Sequence, residues 1–277
     1  MKSLLLLGFT VFSLGNLAQI KAIAQSTLDT PAPQTEASPL VQSAKAFISL
    51  ESYELESVME TTGDIPGTAF TSNAKIKTIV AAPNKFNSQI TFVSPNGLEG
   101  KTYRVVSNGS QVWIYNWATN QYSVSDIKQF LQTREGFLIG TLSYFYINTR
   151  SNIGGWRIMG NFLAKLPEAQ LLKYFQKFTN LDLQNLTIRD EKLNGKTYKA
   201  YDIDAKNQGF QATAYIDTQK GNLERVHLSG AKNGLQLTSK EQVINQTIPE
   251  SIPPQTFVFS AADDAEQVEQ QIPIAPF

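Results

Sequence analysis

Along most of the chain, apolar side chains recur at every second position. Ala74 to Ala81 places Ile76, Thr78 and Val80 on one side, with Lys75 and Lys77 on the other, and Phe86 to Val93 groups Phe86, Ile90 and Phe92. A period of two is that of a half-buried β-strand. Tyr53 to Glu60, Lys101 to Val106, Gln111 to Tyr115 and Gln121 to Val124 continue the pattern. It returns in Leu186 to Arg189, Lys196 to Asp204, Phe210 to Asp217, Leu223 to Ser229 and Leu235 to Val243. Asn108-Gly109, Thr119-Asn120 and Lys220-Gly221-Asn222 supply tight turns between strands, so neighbouring strands are expected to pair antiparallel.

Helical spacing interrupts this alternation. Leu40, Val41, Ala44, Phe47, Ile48 and Leu50 share one helical face, with Ser38 placed to cap and Pro39 at the first helical position. Ser125 to Gln132 reads as a short helix capped by Ser125 or Asp126. Gly136 to Ile147 is the most apolar stretch outside the N-terminus, and Ser151 to Leu166 continues it, broken by Gly154, Gly155 and Gly160. Pro167 to Phe178 has Leu171, Leu172, Phe175 and Phe178 at helical spacing. Strands, a helical middle and more strands make an α+β order, with the apolar middle covering one face of an antiparallel sheet.

The two ends read differently. Lys2, then the apolar run Leu4 to Leu14, then Ala22-Ile23-Ala24 form a signal peptide over residues 1–24, with a mature start at Gln25. That run is shorter than the roughly 20 residues a membrane span needs. Residues 25–39 are rich in proline and poor in apolar side chains, the composition of a disordered linker. Residues 40–260 are expected to form a single domain. Residues 261–277, acidic and glutamine-rich, are expected to be a flexible tail.

Composition narrows the function. The chain has no cysteine, so neither a disulfide nor a lipid-anchoring cysteine is available, and the mature protein is expected to be soluble in a periplasm or outside the cell. Loss of Lys2 and Lys21 with the signal peptide leaves a net charge of −2, which gives no basic surface for nucleic acid. The one histidine, His227, lies within a strand pattern, and no cluster with metal-ligand spacing occurs. No cofactor is expected. Glu54, Glu56 and Glu60 share a strand face; paired carboxylates can hydrolyse glycosides, but a solvated row on a sheet is the simpler reading. Trp113, Tyr115, Trp117 and Tyr122 gather around one hairpin, and Tyr144, Phe145 and Tyr146 lie in the apolar middle. These aromatics either pack a core or line a greasy cavity.

A family resemblance follows from the order of several short motifs. A charged strand runs into Ala82-Pro83-Asn84-Lys85-Phe86, followed by Tyr103 to Tyr115 (YRVVSNGSQVWIY) and then Gln121-Tyr122. Later come Phe210 to Leu223 (FQATAYIDTQKGNL) and Ile252 to Phe259 (IPPQTFVF). In this order they resemble the LolA, LolB and RseB superfamily of lipoprotein-sorting-like proteins, over roughly Leu40 to Ser260. Asn108 stands where the family usually has aspartate, and Asn116-Trp117 where proline often follows the tyrosine, departures that suggest a distant branch. The resemblance implies a strongly curved antiparallel sheet, an incomplete barrel, with helices covering the concave face. It also implies a non-enzymatic envelope protein that binds acyl chains or lipoproteins in that hollow, as a carrier or chaperone. An RseB-like sensor binding a membrane partner protein is the alternative, and a carboxylate-dependent hydrolase a third. Candidate cavity and lid residues are Phe86, Ile90, Phe92, Val105, Ile114, Leu142, Phe145, Ile158 and Met159.

Overall fold

The alternation of apolar and polar positions builds one sheet with two unlike faces. The computed structural model describes residues 39–65, 68–94, 96–152, 162, 165–167, 170, 186–205, 210–232 and 235–275. A helix, α1 (Pro39–Ser49), begins at the predicted proline. The first meander follows: β1 (Ser52–Ile65), β2 (Thr68–Ala81), β3 (Lys85–Val93), β4 (Glu99–Asn108), β5 (Gln111–Asn116) and β6 (Gln121–Asp126). Three short helices come next, α2 (Ile127–Leu131), α3 (Arg134–Phe137) and α4 (Thr141–Asn152). The second meander is β7 (Thr187–Leu193), β8 (Lys196–Ala205), β9 (Phe210–Asp217), β10 (Leu223–Lys232) and β11 (Leu235–Thr247), and a two-residue strand, β12 (Glu266–Gln267), ends the series.

The strands lie in the order β12-β6-β5-β4-β3-β2-β1-β11-β10-β9-β8-β7, a single unclosed sheet of twelve strands. Within each meander the pairing is antiparallel. The two meanders meet where β1 pairs antiparallel with β11, from Glu54 opposite Thr247 to Asp64 opposite Gln236. Register shifts interrupt the ladders at Glu56/Ser57, Thr91/Val93 and Leu223/Arg225, and such bulges bend and twist the strands that carry them. The result is the expected α+β fold, a curved antiparallel sheet with helices on its concave side.

Local chemistry explains the turns. Asn108 Oδ1 accepts hydrogen bonds from the backbone N–H groups of Ser110 and Gln111, each at 3.0 Å, while Gly109 takes the positive φ of +103°. Of the two expected cap candidates, Ser125 and Asp126, it is Asp126 that caps α2, accepting from the N–H of Lys128 at 2.7 Å. β1 and β2 run several residues further than the alternation indicated, because their long hairpin pairs through the polar stretch Thr61 to Asp64. The predicted helix Pro167 to Phe178 and the glycines Gly154, Gly155 and Gly160 lie outside the described residues.

The C-terminal segment departs from expectation. Residues 261–275 are not a free tail but a strap around the β6 edge. The chain first crosses the outer face, where Asn87 Nδ2 donates to Thr256 O at 2.8 Å. There Phe259 stacks on Trp113, with ring centroids 5.9 Å apart, and touches Tyr115 and Tyr122. β12 then pairs in parallel with β6, and the N–H of Val268 donates to Tyr122 O at 2.8 Å. Beyond the edge the chain turns under the sheet, burying Ile272 and Ile274 in the main core. The N–H of Ile272 donates to Ser123 Oγ at 2.9 Å, and Tyr103 Oη donates to Ala275 O at 3.0 Å. The acidic and glutamine-rich letters mask two isoleucines at strand spacing, enough to bind the segment once the sheet supplies backbone partners.

Ile274→Ala is therefore expected to lower the stability of the whole domain by about 2–4 kcal/mol, the usual cost of emptying a buried aliphatic site. A shift of the urea midpoint at unchanged slope is the measurement; a flexible tail gives no shift.

Candidate functional site

The inner face of the first meander is mostly apolar, with a few buried hydroxyls among its side chains. Strand parity places Tyr53, Leu55 and Met59 of β1, Ile76 and Val80 of β2, and Phe86, Ile90 and Phe92 of β3 on one side. The same parity continues to Val105 of β4 and Val112 and Ile114 of β5. All are buried in one cluster. Helices α2 to α4 and the turn before α4 lie over them through Ile127, Phe130, Leu131, Phe137, Ile139, Leu142, Tyr144 and Ile147. Phe86 faces Phe130 with ring centroids 5.8 Å apart.

Seven of the nine candidate residues are brought together here. Phe86, Ile90, Phe92, Val105 and Ile114 form the sheet side of the contact, each no more than 4% exposed. Leu142 and Phe145 come from α4, Leu142 buried and Phe145 partly so. Ile158 and Met159 lie outside the described residues. The hairpin aromatics Trp113, Tyr115 and Tyr122 face the other way, under Phe259, and Trp117 is exposed.

Polar pins hold the covering helices to this surface. Glu241 of β11 points inward and is 1% exposed. Its Oε2 accepts from the N–H of Leu142 at 3.2 Å, and its Oε1 accepts from Ser57 Oγ at 2.7 Å. The carboxyl thus sits at the start of α4, where backbone N–H groups lack helical partners and the helix dipole favours negative charge. Burial lifts the Glu241 carboxyl above the ordinary range, and the hydrogen bonds from Ser57 and Leu142 oppose that rise without cancelling it. Gly140 approaches from the helix side with φ of +101°; a Cβ there would lie 2.9 Å from Glu241 Oε1. Thr78 Oγ1 donates to Ile139 O at 3.0 Å, and Tyr53 Oη donates to Ser143 Oγ at 3.2 Å. At the far end of α4, Arg150 donates to Leu50 O and lies 4.1 Å over the Tyr146 ring.

Glu241 was hidden within the strand Leu235 to Val243. The parity of Leu237, Ser239 and Val243 would have placed it inward, and a buried carboxylate on an apolar face was the available signal. The acidic row is different: Glu56 pairs with Lys77 and Glu60 with Lys240, each at 2.9 Å on the outer face. His227 is a partly buried strand residue whose Nδ1 lies 3.2 Å from Tyr215 Oη. Among the described residues, no group of three or more His, Cys, Asp or Glu is placed to hold a metal. No described helix is long and apolar enough to cross a membrane.

Two outcomes follow from the Glu241 pin. Its folded-state pKa is raised, so its contribution to stability is fullest below the unfolded-state value and is lost as pH rises through the folded-state value. The stability difference between the wild type and Glu241→Gln, followed by urea denaturation across pH, should move against the wild type over that window; a difference independent of pH would show that Glu241 is not buried as described. Gly140→Ala should cost about 1–3 kcal/mol by the same assay, from the left-handed backbone and the crowded carboxylate.

No family model and no curated protein matches the chain. Among solved structures it is similar to LprF from Mycobacterium bovis, at 14% identity and a TM-score of 0.41, covering 80% of this chain and 98% of that one. It is similar to the LolA superfamily protein NE2245 from Nitrosomonas europaea, at 11% identity and a TM-score of 0.31, covering 79% and 97%. It is also similar to MucB, at 11% identity and a TM-score of 0.35, covering 83% of this chain and 64% of that one. Identities and scores are low throughout, and no function passes from these proteins to this chain.

Proposed function

We propose that the chain is an exported envelope protein that holds lipid acyl chains, free or attached to lipoproteins, on the inner face of its sheet, as a carrier or chaperone. The observation that carries this reading is the make-up of the inner core. Its sheet side is largely apolar, interrupted by a few buried hydroxyls and Glu241, and among the described residues its other side is built from separate short pieces, α2 to α4 and the Ile272–Ile274 strap. A cover in pieces can give way locally while the hydrogen-bonded sheet stays intact.

In this reading an acyl chain replaces covering side chains along Phe86, Ile90, Phe92, Val105 and Ile114, with Leu142 and Phe145 moving aside. Ile158 and Met159 belong to the same proposed lid. Each buried methylene contributes about 0.8 kcal/mol, so a long acyl chain gains on the order of 10 kcal/mol against the cost of moving the cover. The polar pins at Glu241, Thr78 and Tyr53 define where the cover returns when the ligand leaves. Export is supported in this reading by the signal-peptide pattern at the N-terminus.

Native mass spectrometry of protein purified from its own envelope is expected to show co-purifying lipid, and the delipidated protein should bind a fluorescent fatty acid. Ile272→Ser combined with Ile274→Ser, which empties the strap's share of the core, should speed fatty-acid uptake while lowering stability. An empty protein that also ignores the fluorescent probe would sink this reading. A membrane protein recovered by crosslinking in place of lipid would replace it with the sensor alternative.

A further inference from the structure

The outer face of the sheet carries a feature that the inner-face reading does not use. A cavity of about 410 Å³ crosses the outside of β2, β1, β11 and β10. Cross-strand register builds it from two adjacent rows. In one, Glu60 lies opposite Lys240 and Lys240 opposite His227. In the other, Lys75 lies opposite Val58, Val58 opposite Gln242, and Gln242 opposite Arg225. Alternation turns all seven side chains to the same side, away from the helices.

The charge balance of this groove is one-sided. Lys75, Arg225 and Lys240 face it against Glu60, with Glu99 paired to Lys75 from beside it, a formal surplus of one positive charge before His227 is counted. Lys75 and Lys240 hold Glu99 and Glu60 at 2.9 Å, with side chains more than two-fifths exposed. Such surface pairs are weak and exchange readily for another anion. Arg225 Nε is sealed from solvent and, among the described residues, has no hydrogen-bond partner. A buried donor without an acceptor is costly, and Arg225 lines the groove. The guanidinium is steadied by Tyr198, whose ring lies 5.7 Å from its central carbon. Tyr215 Oη at 3.2 Å from Nδ1 fixes the His227 ring. Val58 adds an apolar wall between the cations, so the groove suits an oxyanion carrying an organic substituent better than a fully hydrated ion.

We propose that this outer groove is a binding site for a phosphate-type oxyanion, held by Arg225 and Lys240 and flanked by His227 and Lys75. Free phosphate and the phosphate of a lipid headgroup share the required chemistry. Guanidinium and ammonium donors to an oxyanion are the stronger kind of hydrogen bond, and Arg225 offers a planar fork of donors. The site lies on the face opposite the proposed acyl surface, so it stands or falls separately from it.

The chain's single histidine makes the site directly readable. Several groups bear on its imidazole: Arg225 on its own strand, Lys240 on β11, Tyr215 and Thr213 on β9, and Arg189 and Glu191 on β7. Burial lowers its pKa first, and Lys240 and Arg225 lower it further. A bound dianion reverses the charge effect. Nuclear magnetic resonance of the imidazole Cε1–H should therefore show the titration midpoint moving up when inorganic phosphate is added. The comparison is potassium chloride at equal ionic strength, since salt alone screens the neighbouring cations and raises the midpoint as well. Arg225→Gln should weaken phosphate binding by about tenfold or more, and Lys240→Gln should weaken it too, while Lys128→Gln on α2 leaves it unchanged. Circular dichroism confirms that each variant folds. In a parallel arm, phosphatidylglycerol vesicles are compared with phosphatidylcholine vesicles. A response to inorganic phosphate assigns the site to the free ion; a response confined to phosphatidylglycerol assigns it to an anionic headgroup. Equal midpoints in phosphate and chloride, with no difference between the vesicles, would overturn the proposal.

Discussion

A buried carboxylate at the mouth of a helix organises the centre of this protein. Glu241 reaches from β11 to the first turn of α4 and also takes a hydrogen bond from Ser57 on β1. β1 and β11 are the strands that join the two meanders, so one side chain ties both halves of the sheet to the cover on its inner face. An apolar residue in its place would pack but would leave α4's first N–H groups without an acceptor in a dry core. The carboxylate meets that need at the cost of its own desolvation, which is why its proton affinity rises. Gly140 belongs to the same arrangement, because a side chain there would meet the carboxylate.

Around this centre the sheet must manage two edges. A free edge strand exposes a row of backbone donors and acceptors that invites further pairing. At β6 the C-terminal strap covers the edge with β12 and continues inward to the core. At β7 no further strand pairs among the described residues, and charge takes over: Arg189 pairs with Asp202 at 2.8 Å, and Asp190 with Lys199 at 2.7 Å. The strap therefore combines edge protection with core packing, and the aromatic group Trp113, Tyr115, Tyr122 and Phe259 anchors its path across the outer face.

Much of this architecture was legible because strand parity is a local property. The inward set Phe86, Ile90 and Phe92, the hairpin at Asn108-Gly109 and the Asp126 cap each depend on a few neighbouring residues, and each formed as read. What escaped depends on distant partners. Glu241 looks like any charged residue of a strand until α4 is placed over it. The segment after Ser260 looks like a tail until β6 offers an edge and Ser123 and Tyr103 offer hydrogen bonds. Trp113 and Tyr115 alternate with the inward Ile114 and so face outward, where Phe259, far along the chain, packs against them. Polar residues on an apolar face, such as Ser57, Thr78 and Ser88, were the overlooked clues, since each marks a place where something polar must arrive from elsewhere.

The same parity that hides Glu241 separates the two proposed sites. Lys240 and Glu241 are sequence neighbours, yet one faces the outer groove and the other pins α4. Met59 and Glu60 divide in the same way on β1. A strand can thus carry two unrelated chemistries at alternate positions, with the backbone ladder as the wall between them. That wall also limits communication. Coupling between the faces would require β1 and β11 to shift against each other, and the eleven paired positions along their shared ladder oppose such a slip, since a one-residue move would send Glu241 outward and Lys240 into the core.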